Sequence, residues 1–261
     1  MQAVGCPPWH DPKVPLDRIA VISDVHGNLT ALEAVLDDIG GRGIRRIVNL
    51  GDNVGKGPRG GAATDRVREV CEVNVRGNWD DFIDTVGDDQ PEEMRWWRDE
   101  LSAEQRQWLG GLALSHDLVM SGRRIRLFHA SAESPHVRVR FHHTEEEFDG
   151  MFRATAMTGD GPVPTVVGYG DVHDAYLESR DGRTLFNTGS VGNPLDEPTP
   201  SYVILEGVLD ATEPAPFEVR FVRVPYDVDA EIAVAHQVGM PARDVWEVEL
   251  RTAVYRGRQN A

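Results

Sequence analysis

The segment 19–28 constrains the fold of this chain more than any other stretch. Its first four residues are apolar, and a polar loop that contains Asp24 and His26 follows them directly. Apolar residues at positions 29, 32, 35, 36 and 39 then recur at helical spacing, and Gly40 is the predicted end of that helix. The pattern predicts a strand–loop–helix unit, and α/β folds gather ligands at the carboxyl ends of such strands.

Asp24 and His26 form half of a candidate metal site. Side chains two residues apart in an extended segment point to the same side. A carboxylate and an imidazole so placed are common ligands of divalent metals. The same residue types also occur in ordinary turns exposed to solvent, so the remaining loops must decide between the two interpretations.

Four further polar loops follow apolar, strand-like segments in the same way. Gly and Asp are turn residues in their own right, so one such loop says little. Five in order carry more weight, because together they offer enough oxygen and imidazole donors for two cations. The four loops are Gly51-Asp52, Gly77-Asn78-Trp79-Asp80, His129-Ala130-Ser131 and Gly170-Asp171-Val172-His173.

Strand-like and helix-like segments alternate along the first part of the chain, which predicts βαβ units with parallel pairing. The stretch from about 80 to 111 differs, because it is rich in acidic residues and tryptophans. We interpret it as a helical excursion whose tryptophans pack together rather than bind a ligand. A capping box at Thr144 predicts a helix to about 156, and helices at 228–238 and 243–255 close the chain.

The chain is long enough for one large domain or two small ones, and the absence of repeats or a long linker favours one. Residues 1–17 contain four prolines and are predicted to form an irregular lead-in to a single domain at 18–261. This lead-in has neither the basic start nor the apolar run of a secretory signal. With two cysteines and no apolar run of about 18 residues, the sequence predicts a cytoplasmic protein that does not enter membranes.

The charge balance limits the partners. The chain has 43 acidic against 27 basic residues and a formal net charge of −16. Such a charge repels polyanions, so a polymeric nucleic acid is not expected as a partner. A small phosphate ester remains compatible, because bound cations reverse the local sign of the charge.

In order and spacing, the five loops resemble those of the calcineurin-like metallophosphoesterases, particularly the small bacterial branch with Asp-x-His-Gly-Asn and Gly-Asp-x-Val-Gly-x-Gly-Pro loops. The similarity extends to residue 194, where the segment 187–194 is similar to a late Gly-Ser-Val-Gly loop with Thr188 in place of the usual proline. The resemblance implies an α/β (α+β) fold, a four-layer sandwich of two mixed β-sheets flanked by helices. It also implies hydrolysis of phosphomonoesters or phosphodiesters at a two-metal centre.

The same resemblance implies two divalent cations, with Mn²⁺ as the first choice and Fe, Mg²⁺ or Zn²⁺ as alternatives. Asp52 would bridge both ions, a bound hydroxide would be the nucleophile, and Asp52, Asn78 and Asp80 would be the catalytic residues. The implied ligands are Asp24, His26 and His173 for the first ion, and Asn78, His129 and Asp171 for the second. The implied contacts to the substrate are Asn28, Lys56 and Trp79.

Trp79 departs from the family, which has a histidine there beside the phosphate. An indole cannot release its proton at neutral pH. General acid catalysis contributes roughly 10²–10⁴-fold, so hydrolysis of ordinary phosphomonoesters is expected to be impaired. Trp79 would either stack on a base or aromatic leaving group, or shield the site from water.

Two more positions depart from the family. Asp171 stands where the family has the first histidine of Gly-His-x-His, and an anionic oxygen there would favour hard cations over Zn²⁺. Aligning the segment 168–171 with Gly-His-x-His instead would lose both histidines of the motif, so we prefer the former register. Lys56 replaces a frequent tyrosine and would either meet a second phosphate of the substrate or lie solvated at the surface.

The sequence therefore predicts a metal-dependent phosphoesterase that acts on a small phosphate ester, nucleotides included. The alternative is a weakened metal- or ligand-binding scaffold on the same fold, as in a trafficking-coat subunit of the superfamily. The retention of Asp52 and Asn78 together favours the enzyme, since a scaffold has no chemical need for them.

Overall fold

The computed structural model describes residues 15–259, so the predicted lead-in falls almost wholly outside the described residues. Within that range the chain forms two five-stranded sheets and eight α-helices. The strands are β1 Asp17–Ile22, β2 Arg46–Asn49, β3 Val73–Asn74, β4 Ser115–Met120, β5 Arg123–Phe128, β6 Val166–Tyr169, β7 Ala175–Arg180, β8 Arg183–Thr188, β9 Ser201–Gly207 and β10 Phe217–Arg223. The helices are α1 Leu29–Gly41, α2 Gly60–Val70, α3 Asn78–Phe82, α4 Glu92–Asp99, α5 Ala103–Gly110, α6 Glu145–Met151, α7 Val228–Gln237 and α8 Arg243–Thr252.

Both sheets are mixed. The first has the order β10-β9-β1-β2-β3, in which β1, β2 and β3 are parallel and β9 and β10 are antiparallel to their neighbours. The second has the order β4-β5-β6-β8-β7, with β5, β6 and β8 parallel and the two edge strands antiparallel. The five polar loops follow parallel strands: β1, β2 and β3 in the first sheet, and β5 and β6 in the second.

Strand β1 shows why the layers stack. Ile19 and Val21 pack in a core with residues of the second sheet, whereas Ala20 and Ile22 pack in another core with residues of α1. Alternate residues of a strand face opposite sides, so a strand that is apolar throughout must be covered on both faces. The sheets therefore pack face to face, with α1 and α2 on the outside of the first.

The outer face of the second sheet has its own cover. Phe148 and Met151 of α6 pack with Val167, Tyr169 and Leu185 in a third buried cluster. The order of layers is helix, sheet, sheet, helix, which confirms the four-layer sandwich with two mixed sheets.

The stretch with the tryptophans is helical, as expected. Trp97 is buried, and Trp79, Trp96 and Trp108 pack around it in a cluster that covers the loop before α2. Helices α7 and α8 form a further small core around Trp246, and α7 lies beside α1. The single-domain division at 18–261 stays a prediction.

Three predicted helix ends were wrong. α1 continues through Gly40 and Gly41, and the left-handed residue that ends it is Gly43. α6 ends at Met151 rather than near 156, and α8 ends at Thr252 because Ala253 adopts a left-handed conformation. Periodicity predicts a helix more reliably than its last turn, where a single backbone angle decides.

Residues 15–259 contain no helix that is long and apolar enough to cross a membrane. Cys71 is buried as a free thiol, and Cys6 lies outside the described range.

Candidate metal centre

The five polar loops meet at one edge of the sandwich. Each follows the carboxyl end of a strand, and those strands are parallel within each sheet, so their ends lie at the same side. Backbone hydrogen bonds join the loops: Asp24 N donates to Gly51 O, and His26 N donates to Asp52 O, both at 2.9 Å. The loops thus hold their side chains against one another.

Asp24, His26 and His173 form the first ligand group. His173 Nε2 lies 3.2 Å from Asp24 Oδ1 and 3.2 Å from His26 Nε2. All three side chains are buried. His26 and His173 are 147 positions apart in sequence, and the fold brings them together. The preferred register around Gly170 is the one that includes His173 in the group.

Asp52, Asn78 and His129 form the second ligand group. His129 Nε2 lies 3.4 Å from Asp52 Oδ1 and 3.0 Å from Asn78 Oδ1. The other carboxylate oxygen of Asp52 lies 3.6 Å from His26 Nε2. Asp52 therefore lies between the two groups, where the sequence predicts a bridging carboxylate.

The three histidines share one orientation. The Nδ1 atoms of His26, His129 and His173 lie 3.0, 2.9 and 2.5 Å from the backbone oxygens of Val54, Leu50 and Asn193. A carbonyl oxygen only accepts, so each Nδ1 donates and each neutral ring presents the lone pair of Nε2. In metal sites, a backbone carbonyl that accepts the other ring N–H fixes the orientation of a histidine ligand in this way.

The side-chain atoms at the centre of the site are suited to bind cations. The lone pairs of His26 Nε2 and His173 Nε2 face each other at 3.2 Å, an arrangement that repels unless a positive group lies between them. Asp24 Oδ1 is buried and accepts no hydrogen bond among the described residues. Buried, unpaired carboxylate oxygens are costly, and a coordinated metal removes that cost.

The electrostatics agree with this assignment. Burial alone would raise the pKa of Asp24, but His173, His129 and His26 hold that pKa well below its usual range. Burial alone would lower the pKa of His129, but Asp52, Asp24 and Asp171 raise it to about 10. The carboxylates thus create a strongly negative site that attracts positive charge: a proton on His129, or a cation that displaces this proton and leaves the ring neutral.

The backbone at the ligands is left-handed. Five of the seven predicted metal ligands have positive φ: Asp24, His26, Asp52, Asp171 and His173, with values between 46° and 66°. The expectation that Asp24 and His26 project from an extended segment was therefore wrong. Non-glycine residues adopt this region at a cost, and a fold that keeps five of them together has other interactions to hold them.

One of those interactions comes from Asp80. Its carboxylate accepts the backbone N–H groups of Asp52 at 2.8 Å, Asn53 at 2.9 Å and Gly77 at 3.0 Å. Burial and the nearby Asp52 raise the pKa of Asp80 to about 7. Asp80 was predicted as catalytic; the structure places it behind the ligands, where it positions the loop that carries Asp52.

Gly77 is required by close approach. A Cβ atom on Gly77 would lie 2.2 Å from both the backbone nitrogen and a carboxylate oxygen of Asp52. Only glycine allows the third loop to lie against the second at this distance. The approach brings Trp79 N within 2.8 Å of Asp52 Oδ1, so the third loop also orients the bridging carboxylate.

Trp79 itself forms a wall of the site. Its ring lies against Gly55, edge-on to His26 at 5.9 Å between ring centres, and contacts Phe82 and Trp97 on its other side. The side chain is half-buried. These contacts agree with hydrophobic packing beside the ligands, and stacking on a substrate stays a prediction.

Lys56 points into the site. Its Nζ lies 3.3 Å from His173 Nε2, and the side chain is half-buried rather than freely solvated. Burial lowers the pKa of Lys56 to about 8, although Glu249, Asp24 and Asp52 raise it. The interpretation as a solvated surface lysine was wrong, because the loop before α2 turns the residue towards the ligands.

Asp171 lies at the metal centre, but its carboxylate is paired with Arg138. Its two oxygens accept Nε and Nη2 of Arg138, each at 2.7 Å, and Oδ1 lies 3.9 Å from His129 Nε2. The two described clusters with metal-binding geometry do not include it. The ion pair therefore favours a role as the partner of Arg138 over the predicted role as a metal ligand.

Asn28 has another role than the predicted substrate contact, which stays untested. Its side-chain oxygen accepts Ala31 N at 3.0 Å and caps α1. Its amide nitrogen donates to Gly192 O at 2.9 Å and Tyr226 Oη at 3.0 Å. With these bonds the fully buried side chain joins three segments of the chain.

Sequence reasoning missed Arg138. It lies in the loop between β5 and α6, outside the strand-end pattern that identified the other residues. One signal was present: within an acidic chain, the segment 136–143 contains two arginines and three histidines and no acidic residue. A local excess of positive charge of this kind indicates an anion site or a partner for buried carboxylates.

The comparisons with known proteins agree with the fold and the loops. Residues 18–208 match the calcineurin-like phosphoesterase superfamily domain. An uncharacterized protein of Methanocaldococcus jannaschii is 30% identical over 227 residues, which cover 80% of this chain and 88% of that protein.

Two solved structures are similar over nearly the whole chain. A metallophosphoesterase from Sphaerobacter thermophilus has a TM-score of 0.69 and 27% identity, and the match covers 91% of this chain and 100% of that one. A hypothetical protein from Pyrococcus horikoshii has a TM-score of 0.68 over 92% of this chain and 98% of its own, and at 17% identity it supports the fold alone. Together with the family match and the converging loops, they place this chain in the calcineurin-like phosphoesterase superfamily.

Proposed function

We propose that this protein hydrolyses a small phosphate ester, a phosphomonoester or phosphodiester, nucleotides included, with two divalent cations bound in the metal centre. The observation that carries the proposal is the position of Asp52. Its two oxygens face His26 in the first ligand group and His129 in the second, at 3.6 and 3.4 Å. One carboxylate between two sets of metal-binding side chains is the arrangement that a dinuclear site requires.

The residues would divide the two ions between them. Asp24, His26 and His173 would hold the first ion, and Asp52, Asn78 and His129 would hold the second. Asp52 would be shared, because its other oxygen lies 3.6 Å from His26 Nε2. Bound cations would polarise the phosphoryl oxygens and lower the pKa of a water molecule. Three imidazoles and three oxygen side chains form a mixed set that suits Mn²⁺ as the first choice, with Fe, Mg²⁺ and Zn²⁺ as alternatives.

The chain's own side chains would orient the substrate. Lys56 Nζ, which lies 3.3 Å from His173 Nε2, is close enough to the first group to attract a further anionic group of the substrate. Trp79 restricts access beside His26 and excludes water from that side. Trp79 cannot give a proton to a poor leaving group at neutral pH, because the indole N–H does not ionise there. Substrates with good leaving groups are therefore favoured.

The test combines metal analysis with turnover. Purified protein is analysed for bound metals and then screened with aryl and alkyl phosphomonoesters, phosphodiesters and nucleotides under added Mn²⁺. We expect metal-dependent release of phosphate or of the leaving group, lost in Asp52→Asn and kept in Asp37→Asn, which makes the same change on an exposed residue of α1. A protein that binds metal but hydrolyses none of these esters would instead be the scaffold of the alternative interpretation.

A further inference from the structure

The loop between β5 and α6 brings a guanidinium group to the metal centre. Arg138 donates from Nε and Nη2 to both oxygens of Asp171, each at 2.7 Å. Asp171 Oδ1 lies 3.9 Å from His129 Nε2 in the second ligand group. Only one carboxylate therefore separates Arg138 from the ligands.

The guanidinium of Arg138 is held in place by Asp171 but keeps N–H donors that could bind another group. Arg138 has 46% of its side chain exposed, whereas Asp171 has only 4% exposed. A guanidinium has five N–H donors, and the hydrogen bonds of Arg138 within residues 15–259 both go to Asp171. The remaining donors form a planar fork that matches two oxygens of a phosphate group. A bidentate carboxylate on one side leaves such a fork oriented for an anion on the other.

Two departures from the family leave the site with fewer positively charged side chains than usual, which gives the guanidinium of Arg138 a role there. Position 79 is an indole where the family has an imidazole beside the phosphate, and position 171 is a carboxylate where the family has a second imidazole. Both changes remove groups that can carry positive charge. Arg138 adds one permanent positive charge next to the second ligand group, and its pair with Asp171 neutralises the added carboxylate.

We propose that Arg138 binds a phosphoryl oxygen of the substrate and stabilises its negative charge, in place of the histidine that is absent at position 79. The inference rests on the proposed phosphoesterase function and specifies one contact in it. Asp171 is then a positioning residue, which orients the guanidinium and does not bind the metal. An arginine does not release a proton at neutral pH, so it replaces the charge of the histidine and not its acidity.

Inorganic phosphate provides the test, because its binding needs no turnover. Calorimetry with the Mn²⁺-loaded protein compares wild type, Arg138→Gln, Arg138→Lys and the matched control Arg140→Gln, an exposed arginine two residues further along the loop. We expect phosphate binding to weaken by roughly 10- to 100-fold in Arg138→Gln, the range for a lost hydrogen bond to a charged group. Arg138→Lys should be intermediate, since it keeps the charge but loses the fork, and the control should equal wild type.

Asp171→Asn tests the positioning role. An amide keeps the shape of the side chain but holds a guanidinium less firmly than a carboxylate does. We expect weaker phosphate binding and a lower kcat/KM, both less severe than in Arg138→Gln, with the metal content of wild type in both variants. A loss of bound metal in Asp171→Asn would show that Asp171 is a ligand and would overturn this role.

The outcomes separate this inference from the proposed function. If no ester is hydrolysed but phosphate binding still depends on Arg138, the function fails and the phosphate contact stands. If esters are hydrolysed and Arg138→Gln matches wild type in phosphate affinity and kcat/KM, the function stands and the role of Arg138 is refuted. A loaded wild type that does not bind phosphate also refutes it.

Discussion

The two ligand groups of the metal centre differ in their surroundings. The first, around Asp24, His26 and His173, is fully enclosed, and the C-terminal part of the chain ties the loops beside it. The second includes the half-buried Asn78 and borders the exposed Arg138. We therefore expect different roles for the two groups: the first would hold a cation firmly, and the second would leave room for a substrate.

Different acids support the two groups. Asp80 holds the loop that carries Asp52 through three backbone N–H groups. On the other side, Glu100 accepts Gly60 N at 2.9 Å at the start of α2 and steadies the loop whose Val54 carbonyl orients His26. Substitution of Asp80 or Glu100 should therefore disturb one loop at a time without changing a ligand of either group.

The largest effect is expected from Asp52→Asn, because that carboxylate serves both groups. The variant should lose essentially all hydrolysis and most of its bound metal, since an amide offers one neutral oxygen in place of two charged ones. Circular dichroism should show a retained fold. Unchanged turnover would refute the shared site and leave two independent groups.

Asn78→Ala should separate the groups. We expect the second cation to be lost first in a chelator titration, with affinity reduced by at least roughly 10- to 100-fold, the cost of removing even an outer-shell partner. The first cation should remain, because its three ligands are buried and unchanged. Simultaneous release of both metals would mean that the groups form one cooperative unit.

Trp79→His should change the preference for leaving groups. The wild type is expected to cleave activated aryl esters far faster than alkyl esters, and a histidine at this position should narrow that ratio by supplying an acid, within a limit of about 10²–10⁴-fold. Trp79→Phe is the control, since it keeps most of the packing on Phe82 and Trp97 without an ionisable proton. A ratio near one in the wild type would indicate that another group already protonates the leaving oxygen.

The smallest effect concerns Glu100 and stability. Burial raises the pKa of Glu100 to about 7 from an ordinary value of 4.5. The folded state therefore binds this proton more tightly, so the contribution is complete below pH 4.5 and is lost as the pH rises through about 7. Glu100→Gln cannot ionise and should gain stability relative to wild type between pH 5 and 8, on the order of 1–3 kcal/mol.

Urea unfolding at these two pH values measures that change. Glu104→Gln is the matched control, because Glu104 is largely exposed on the neighbouring helix α5. The same pH dependence in wild type and Glu100→Gln would show that the carboxyl group of Glu100 is already ionised in the folded protein. The loop behind the first group would then depend on a buried charge.

Sequence patterns predicted the candidate ligands but not the residues that contact them, such as Arg138. Asp24, Asp52 and His129 each follow an apolar strand, and strand ends can be read from residue types alone. Arg138 reaches Asp171 through an irregular loop, whose path depends on packing between distant segments. For the same reason the sequence left two positions open for Lys56, at the substrate or in solvent, since its direction depends on its own left-handed backbone.

The left-handed ligand residues have a consequence for thermal behaviour. Strained backbone and crowded carboxylates cost free energy in the folded chain. A cation can offset this cost only in the folded state, because the unfolded chain has no such site. Metal that binds the native chain and not the unfolded one raises the melting temperature in proportion to the logarithm of its concentration. A melting curve recorded against Mn²⁺, Mg²⁺ or Zn²⁺ would therefore rank the metals by affinity before any substrate is known.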